Sequence, residues 1–230
     1  MSDALKQAVA VMDRLRSPGG CPWDASQTNR ALARYLIEET YETIEAIETD
    51  NLALLREELG DLLLQVLFHA RLAEELPPGQ RFSINDVAGD LVAKLVRRHP
   101  HVFGSTDVAD ANEVNENWER LKVAEKGRTS AVDGVPLSQP ALALAGKLVT
   151  RAQRARLQVN VAGEGIGEHL FALAREAANA GVDPESALRD TTRRFRAAIL
   201  AAEAAPHSSE QNSRVDQSER LETLIQHDEA

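Results

Sequence analysis

The chain has little cysteine and few aromatic residues. Its 230 residues include one cysteine, Cys21, and aromatic residues make up 4% of the total. With a single thiol, one chain can form neither a disulfide nor a cysteine-based metal site, which fits a reducing cytosol. No apolar run approaches the ~20 residues that a membrane span needs, and residues 1–16 are amphipathic, unlike a signal peptide. The sequence therefore predicts a soluble, cytoplasmic protein without membrane association.

Basic residues are also under-represented. Lysine and arginine total 26 against 36 aspartates and glutamates, which gives a formal net charge of −10. This balance argues against a general nucleic-acid surface, because such binding depends on cationic contacts to phosphates. Part of the excess lies in residues 206–230, where low apolar content predicts an acidic, mobile tail.

Runs of β-branched residues are rare, whereas alanine and leucine are abundant. This composition predicts an all-α fold. Helices are predicted over residues 3–16, 29–49, 52–75, 84–98, 111–126, 140–158, 166–180 and 184–204. Ser83, Asp110 and Asp183 are candidate helix caps.

Two acidic pairs lie on two adjacent predicted helices. Glu39 and Glu42 are three residues apart, as are Glu58 and Asp61, so each pair shares one helix face. The two pairs are arranged symmetrically about position 50, in the turn-like segment 49–51. An antiparallel hairpin that folds there sets Glu39 opposite Asp61 and Glu42 opposite Glu58.

Four facing carboxylates repel one another strongly once water is excluded, so a cation is expected among them. All the donors are hard oxygens, which favours Mg²⁺, with Mn²⁺ as a substitute, over zinc or copper. Three residues along a helix span ~4.5 Å, close to the ~3.5–4 Å between ions in two-metal sites. More than one ion would therefore fit.

A solvated acidic helix face is the ordinary alternative, because glutamate is a good helix former. Apolar stripes beside the acids argue against it, since an anion among core residues is costly unless it is paired or metal-bound. The stripe residues are Leu36, Ile37, Ile44, Ile47, Leu55, Leu59, Leu62, Leu63, Val66 and Leu67.

Several further segments along the chain, before, around and after the acidic pairs, are informative as a set. They are residues 20–24, 36–42, 58–63, 97–104 and 118–122. Together they resemble the MazG family of all-α nucleoside triphosphate pyrophosphohydrolases, over about residues 5–160. The resemblance implies Mg²⁺-dependent hydrolysis of a nucleoside triphosphate to the monophosphate and pyrophosphate, a nucleotide-pool house-cleaning activity.

The resemblance also implies roles for individual residues. Glu39, Glu42, Glu58 and Asp61 match the metal ligands. Glu38 matches an outer carboxylate that orients or deprotonates the attacking water. The remaining matched positions imply substrate contacts: phosphate contacts from Lys94, Arg97, Arg98 and Lys122, and base stacking by Trp118.

The basic and aromatic residues also have structural interpretations. Cations favour a helix C-terminus, which Pro100 predicts just after Arg98. A lone tryptophan such as Trp118 is ordinarily a packing anchor. Trp23, in the Gly- and Pro-rich loop 17–24, either lids a neighbouring pocket or staples the first helix to the acidic hairpin.

The chain divides into four predicted segments. Residues 1–128 form the catalytic helical unit, 129–140 a linker, 141–205 a degenerate MazG-like unit, and 206–230 the tail. In the second unit Gly165 takes the place of Glu58, and only Glu168 stands where Asp61 would. The fold expected is a MazG-like helical bundle of two tandem units, the second shortened, completed by formation of a homodimer.

Other functions remain open from sequence alone. A ferritin-like di-iron oxidase also gathers carboxylates from helices but normally uses Glu-x-x-His, which neither acidic motif contains. A non-catalytic nucleotide-binding or assembly module with the same fold is the main alternative. A related enzyme acting on dUTP or phosphoribosyl-ATP matches the flanking segments less well. Nothing in the sequence distinguishes bases, sugars or oxidised nucleotides.

Overall fold

Helices make up all the regular secondary structure in the part of the chain that the computed structural model describes, residues 3–127 and 129–205. The predicted all-α fold is confirmed. Contacts between residues divide the chain into two units, Met1–Lys126 and Gly127–Ala230. The predicted acidic tail, residues 206–230, lies outside the described residues. None of the described helices is long and apolar enough to cross a membrane.

Seven helices build the described part of the first unit, which begins at residue 3. They are α1 (Asp3–Arg16), α2 (Pro22–Ser26), α3 (Asn29–Glu48), α4 (Leu52–Ala73), α5 (Ile84–Arg98), α6 (Pro100–Phe103) and α7 (Ala111–Lys126). The five longer helices lie where the sequence predicts them. The short helices α2 and α6 are not predicted, although each has a proline at its start, where the fixed φ of proline suits a first helical turn.

The helices α3 and α4 pack against each other and form the predicted hairpin. Thr28 caps α3 by accepting a hydrogen bond from the Ala31 amide, and Asn51 caps α4 in the same way. Between them Asp50 has a positive φ of 53°, which a short polar residue tolerates better than most. This tight connection makes the two helices antiparallel.

The hydrophobic core of the first unit lies at the open end of this hairpin, away from its turn. It consists of Met12, Leu32, Leu67, Phe68 and Leu72. Two buried or half-buried arginines fasten α1 to α4 beside it: Arg16 pairs with Glu75 at 2.8 Å, and Arg71 pairs with Asp13 at 2.8 Å. The open end is therefore the well-packed part of the hairpin.

Beside the acids the predicted apolar stripes are less buried than expected. Ile37, Ile47 and Leu59 are 58%, 55% and 52% exposed. The expectation that these residues belong to the core of a single chain is wrong. Periodicity identifies an apolar helix face but does not show which neighbour covers it.

Helix α5 is fixed at both ends. Ser83 and Asp86 form a capping box at its start. At its other end Arg97 and Arg98 both pair with Glu125, at 2.6 and 2.5 Å. Arg98 is buried and lies over the ring of Trp118. A buried guanidinium requires such a partner, because leaving it unpaired would be strongly destabilising.

Three helices build the described part of the second unit: α8 (Ala141–Arg154), α9 (Ile166–Asn179) and α10 (Pro184–Ala204). Asp183 caps α10, as predicted. Gly146 of α8 lies against Pro184, where an added Cβ would come within 3.0 Å of the proline ring. The predicted extension of α8 to residue 158 is wrong, because the helix ends at Arg154 and Arg156 has a φ of 53°.

The Glu125 contacts predict a pH-dependent loss of stability. Hydrogen bonds from Arg98 and Arg97 lower the pKa of Glu125 from 4.5 to about 2. This stabilisation is fully present above pH 4.5 and is lost as the pH falls towards 2. We therefore expect Glu125→Gln to lower the melting temperature at neutral pH, by an amount that shrinks as the pH falls, in circular dichroism melts.

Glu203→Gln, at an exposed carboxylate of α10, is the control and should show little difference from the wild type at any pH. A Glu125→Gln deficit of the same size at pH 7 and at about pH 2.5 would contradict the assignment.

Candidate metal centre

Three carboxylates meet where α3 faces α4. Glu39, Glu58 and Asp61 each place one oxygen atom within 4.8 Å of the other two. Glu58 is buried, and Glu39 and Asp61 are half-buried. Within the described residues, this is the only such group of three or more histidine, cysteine or acidic side chains.

Burial and mutual repulsion disturb the ionisation of these acids. The pKa of Glu39 is raised, first by burial and then by the charges of Asp61, Glu42 and Glu58. The pKa of Glu58 is raised by burial and then by Glu42 and Asp61. The leading charged neighbour of Glu39 is therefore Asp61, and that of Glu58 is Glu42, the same pairs that the spacing sets opposite each other. A cation or a proton is needed to relieve this repulsion.

The two remaining predicted acids lie closer to solvent. Glu42 is exposed, but its charge raises the pKa of both Glu39 and Glu58, so it borders the cluster. Glu38 is exposed on α3. The assignment of Glu39, Glu42, Glu58 and Asp61 as ligands stays a prediction, and so does a role for Glu38.

The donor set fits a divalent cation. No lysine or arginine of the described part forms an ion pair with Glu39, Glu58 or Asp61. The negative charge of the cluster is therefore not balanced by the protein there. All three donors are carboxylate oxygens, which hard ions such as Mg²⁺ and Mn²⁺ prefer.

Three of the four predicted phosphate ligands are paired with carboxylates of the protein. Arg97 and Arg98 are paired with Glu125, and Lys122 with Glu119 at 3.4 Å. Lys94 is half-buried on α5. Arg98 is buried, whereas the side chain of Arg97 is 53% exposed, so Arg97 is the more accessible of the two.

The ring of Trp118 is likewise in contact with other side chains. The Arg98 guanidinium lies 5.1 Å from its centroid and the His99 ring 4.9 Å. These contacts support the interpretation of Trp118 as a packing anchor. Base stacking by Trp118 stays a prediction.

Trp23, in the short helix α2, connects the segment after α1 to the acidic hairpin. Its ring meets the ring of Tyr35 on α3 edge-on, at 6.1 Å. Arg16 donates a hydrogen bond to the carbonyl oxygen of Asp24, beside Trp23. These contacts match the staple interpretation, while the 51% exposure of Trp23 leaves much of its surface accessible.

In the described part of the second unit, Glu168 does not belong to a group of three or more acidic, histidine or cysteine side chains. Gly165 is the N-cap of α9, so it lies before the helix and not within it. The Glu168 carboxylate lies at the start of α9, close to two glycines. A Cβ added to Gly163 would come 2.9 Å from Oε1 of Glu168, and one added to Gly165 would come 2.7 Å from its Oε2. Glu168 therefore belongs to a helix start.

Sequence analysis assigns no role to three polar residues of the first unit. The role of Glu125 follows only from its pairing with Arg97 and Arg98 in the structure. Gln65 and His69 are buried and half-buried on α4, four and eight residues after Asp61. Spacings of four and eight residues from Asp61 place both on the same face of a helix as Asp61, which the sequence alone could have indicated.

Known proteins resemble this chain clearly. Residues 27–103 match the MazG nucleotide pyrophosphohydrolase domain. A Thermotoga maritima protein named nucleoside triphosphate pyrophosphohydrolase/pyrophosphatase MazG is 38% identical over 215 residues, covering 83% of this chain and 82% of its own length. A Mycobacterium tuberculosis nucleoside triphosphate pyrophosphohydrolase is 42% identical over 203 residues, covering 88% of this chain.

A third relative, an uncharacterised 26.1 kDa protein from Streptomyces cacaoi, is 51% identical over 202 residues and is covered over 82% of its length. The chain spans 59% of the Mycobacterium tuberculosis protein. Because the Thermotoga relative is matched over most of both chains, this protein belongs to the MazG nucleotide pyrophosphohydrolase family.

Proposed function

We propose that this protein hydrolyses nucleoside triphosphates to nucleoside monophosphate and pyrophosphate, with divalent ions, Mg²⁺ foremost, held by Glu39, Glu42, Glu58 and Asp61. The observation that carries the proposal is the convergence of three carboxylate oxygens within 4.8 Å at the α3–α4 interface. The names of the Thermotoga and mycobacterial relatives support the reaction. A house-cleaning role in the cytoplasmic nucleotide pool is part of the proposal.

The acidic site explains how an anionic substrate is held. Glu39, Glu42, Glu58 and Asp61 would hold the divalent ions, which would supply positive charge to offset the charge that develops on the phosphates in an in-line displacement. Glu38 would orient the attacking water and accept its proton on a carboxylate oxygen. The water attacks phosphorus, the bond between the first and second phosphates breaks, and pyrophosphate leaves. The exposed side of Arg97 would contact the distal phosphates.

Removal of single ligands tests the reaction. We expect Glu42→Gln and Asp61→Asn each to lower kcat for Mg²⁺-dependent pyrophosphate release by roughly a hundredfold or more, because charge stabilisation is lost. The melting temperature without metal should not fall, since one repelling carboxylate has been removed. A coupled pyrophosphate assay over a panel of triphosphates, including oxidised ones, measures the effect.

Glu45→Gln, at an exposed glutamate on α3, is the matched control and should keep near-wild-type turnover. Near-normal turnover in both ligand variants would contradict the assigned site. Nucleotide binding without any product would instead favour a non-catalytic module.

If Glu58 binds Mg²⁺, replacing it should affect the melting temperature differently in the presence and in the absence of the metal. A ligand whose free concentration is a hundred times its Kd raises the free energy of unfolding by ~2.7 kcal/mol. We expect Mg²⁺ to raise the melting temperature of the wild type but not that of Glu58→Gln, which in the absence of metal should melt at the same temperature or higher. Differential scanning calorimetry measures both shifts, and equal Mg²⁺ shifts in the two proteins would contradict the site.

A homodimer is the proposed assembly. Four apolar residues of α5 recur on one face and are 38–59% exposed: Leu91, Val92, Leu95 and Val96. Further exposed apolar residues lie on the hairpin within two residues of its acids, among them Ile37, Tyr41 and Leu59. Exposed apolar patches of this kind mark interaction surfaces.

Light scattering should therefore give twice the chain mass of 25.1 kDa at micromolar concentration. The double variant Val92→Lys/Val96→Lys should weaken the dimer, because charges on an apolar interface are costly. Asp90→Lys, on the opposite side of α5, should leave the mass unchanged. A wild-type monomer with full activity would overturn the assembly.

A further inference from the structure

A polar stripe continues along α4 beyond the acidic cluster. Gln65 and His69 follow Asp61 at four and eight residues, so Glu58, Asp61, Gln65 and His69 lie within about 80° of arc on one helix face. The first two residues belong to the proposed metal site, and the last two have no role in it.

Both residues carry a buried polar atom without a partner. Gln65 is 5% exposed, and its Oε1 has no hydrogen-bond partner in the described part of the chain. His69 Nε2 is also buried and without a partner there. Buried polar atoms are nearly always hydrogen-bonded, so two exceptions four residues apart on one helix face point to a partner that the described part of the chain does not supply.

The two unpartnered atoms are hydrogen-bond acceptors. His69 Nδ1 lies 2.6 Å from Oδ1 of Asn29 at the start of α3. An amide oxygen only accepts, so Nδ1 carries the hydrogen and Nε2 of the neutral ring offers a lone pair. Burial lowers the pKa of His69, which favours this neutral form. Gln65 Oε1 is an amide oxygen and likewise accepts.

Their positions suit the part of a nucleotide that follows the phosphates. Along the helix axis Gln65 lies about 6 Å and His69 about 12 Å from Asp61. A substrate held through its phosphates near Asp61 extends its sugar and then its base over such distances. The unpartnered acceptors therefore lie in the order in which a nucleoside would reach them.

We infer that Gln65 and His69 read the nucleoside of the substrate by accepting hydrogen bonds from its O–H or N–H donors, either a sugar hydroxyl or an exocyclic amine of the base. This inference rests on the proposed pyrophosphohydrolase activity. It assigns substrate selection to α4, the same helix that supplies Glu58 and Asp61.

Matched pairs of nucleotides identify the donor. One pair is ATP and 2′-deoxy-ATP, a second is ATP and 3′-deoxy-ATP, and a third is ATP and the purine riboside triphosphate that lacks the amine. We expect the wild type to prefer the donor-bearing member of at least one pair by about tenfold in kcat/KM, as a hydrogen bond to a buried acceptor allows. The pair that shows this preference identifies the sugar or the base as the source.

Variants then assign the preference to the two residues. Gln65→Met should reduce a preference for a sugar hydroxyl to within about twofold, and His69→Phe should do the same to a preference for the amine of the base, whereas His69→Gln, which keeps an acceptor, should retain it. Gln65→Met should also keep the melting temperature, because it removes a buried polar atom that has no protein partner. Gln80→Met, in the exposed loop before α5, is the matched control and should keep the wild-type ratio.

Each outcome bears on a different claim. A preference that is unchanged in Gln65→Met and His69→Phe, or absent from all three pairs in the wild type, overturns this inference while leaving the pyrophosphohydrolase activity intact. A lowered melting temperature of Gln65→Met with an intact preference overturns it in favour of a structural role, such as holding a buried water. No pyrophosphate from any nucleotide overturns the proposed function and this inference with it.

Discussion

Repulsion between carboxylates at the α3–α4 interface is the constraint on which the site depends. Packing of the two helices brings Glu39, Glu58 and Asp61 together and partly withdraws them from water, so that like charges interact more strongly. The raised pKa values of Glu39 and Glu58 express this cost. Since no cationic side chain of the described residues forms an ion pair with these acids, a bound cation or a proton would relieve the repulsion.

The remainder of the first unit holds this unfavourable arrangement in place from a distance. The core and the ion pairs of Arg16 and Arg71 secure the open end of the hairpin, while the acids lie nearer the turn. A fixed hairpin prevents the acids from relieving their repulsion by moving apart. The exposed apolar residues beside the acids, such as Ile37 and Leu59, show that this part of the hairpin is less completely covered by its own chain.

Features that depend on local periodicity can be predicted from this sequence, whereas contacts between residues far apart in the chain cannot. The hairpin, its turn at Asp50 and the carboxylates facing each other follow from spacings of three and from symmetry about one position. The short helix α2 was missed because Pro22 was interpreted as part of a loop, and the end of α8 because nothing signals the left-handed backbone at Arg156. The pairing of Arg98 with Glu125 joins residues 27 positions apart, which no local pattern reveals.

The central claim is that these carboxylates hold divalent ions that bind a polyphosphate. The most direct test is a crystal structure with Mn²⁺ and a non-hydrolysable nucleoside triphosphate, with anomalous scattering to locate the metal. The account predicts manganese peaks about 2.2 Å from carboxylate oxygens of Glu39, Glu58 and Asp61 and in contact with phosphate oxygens. Acids turned away from one another into solvent, or manganese and phosphates bound elsewhere on the protein, would contradict it.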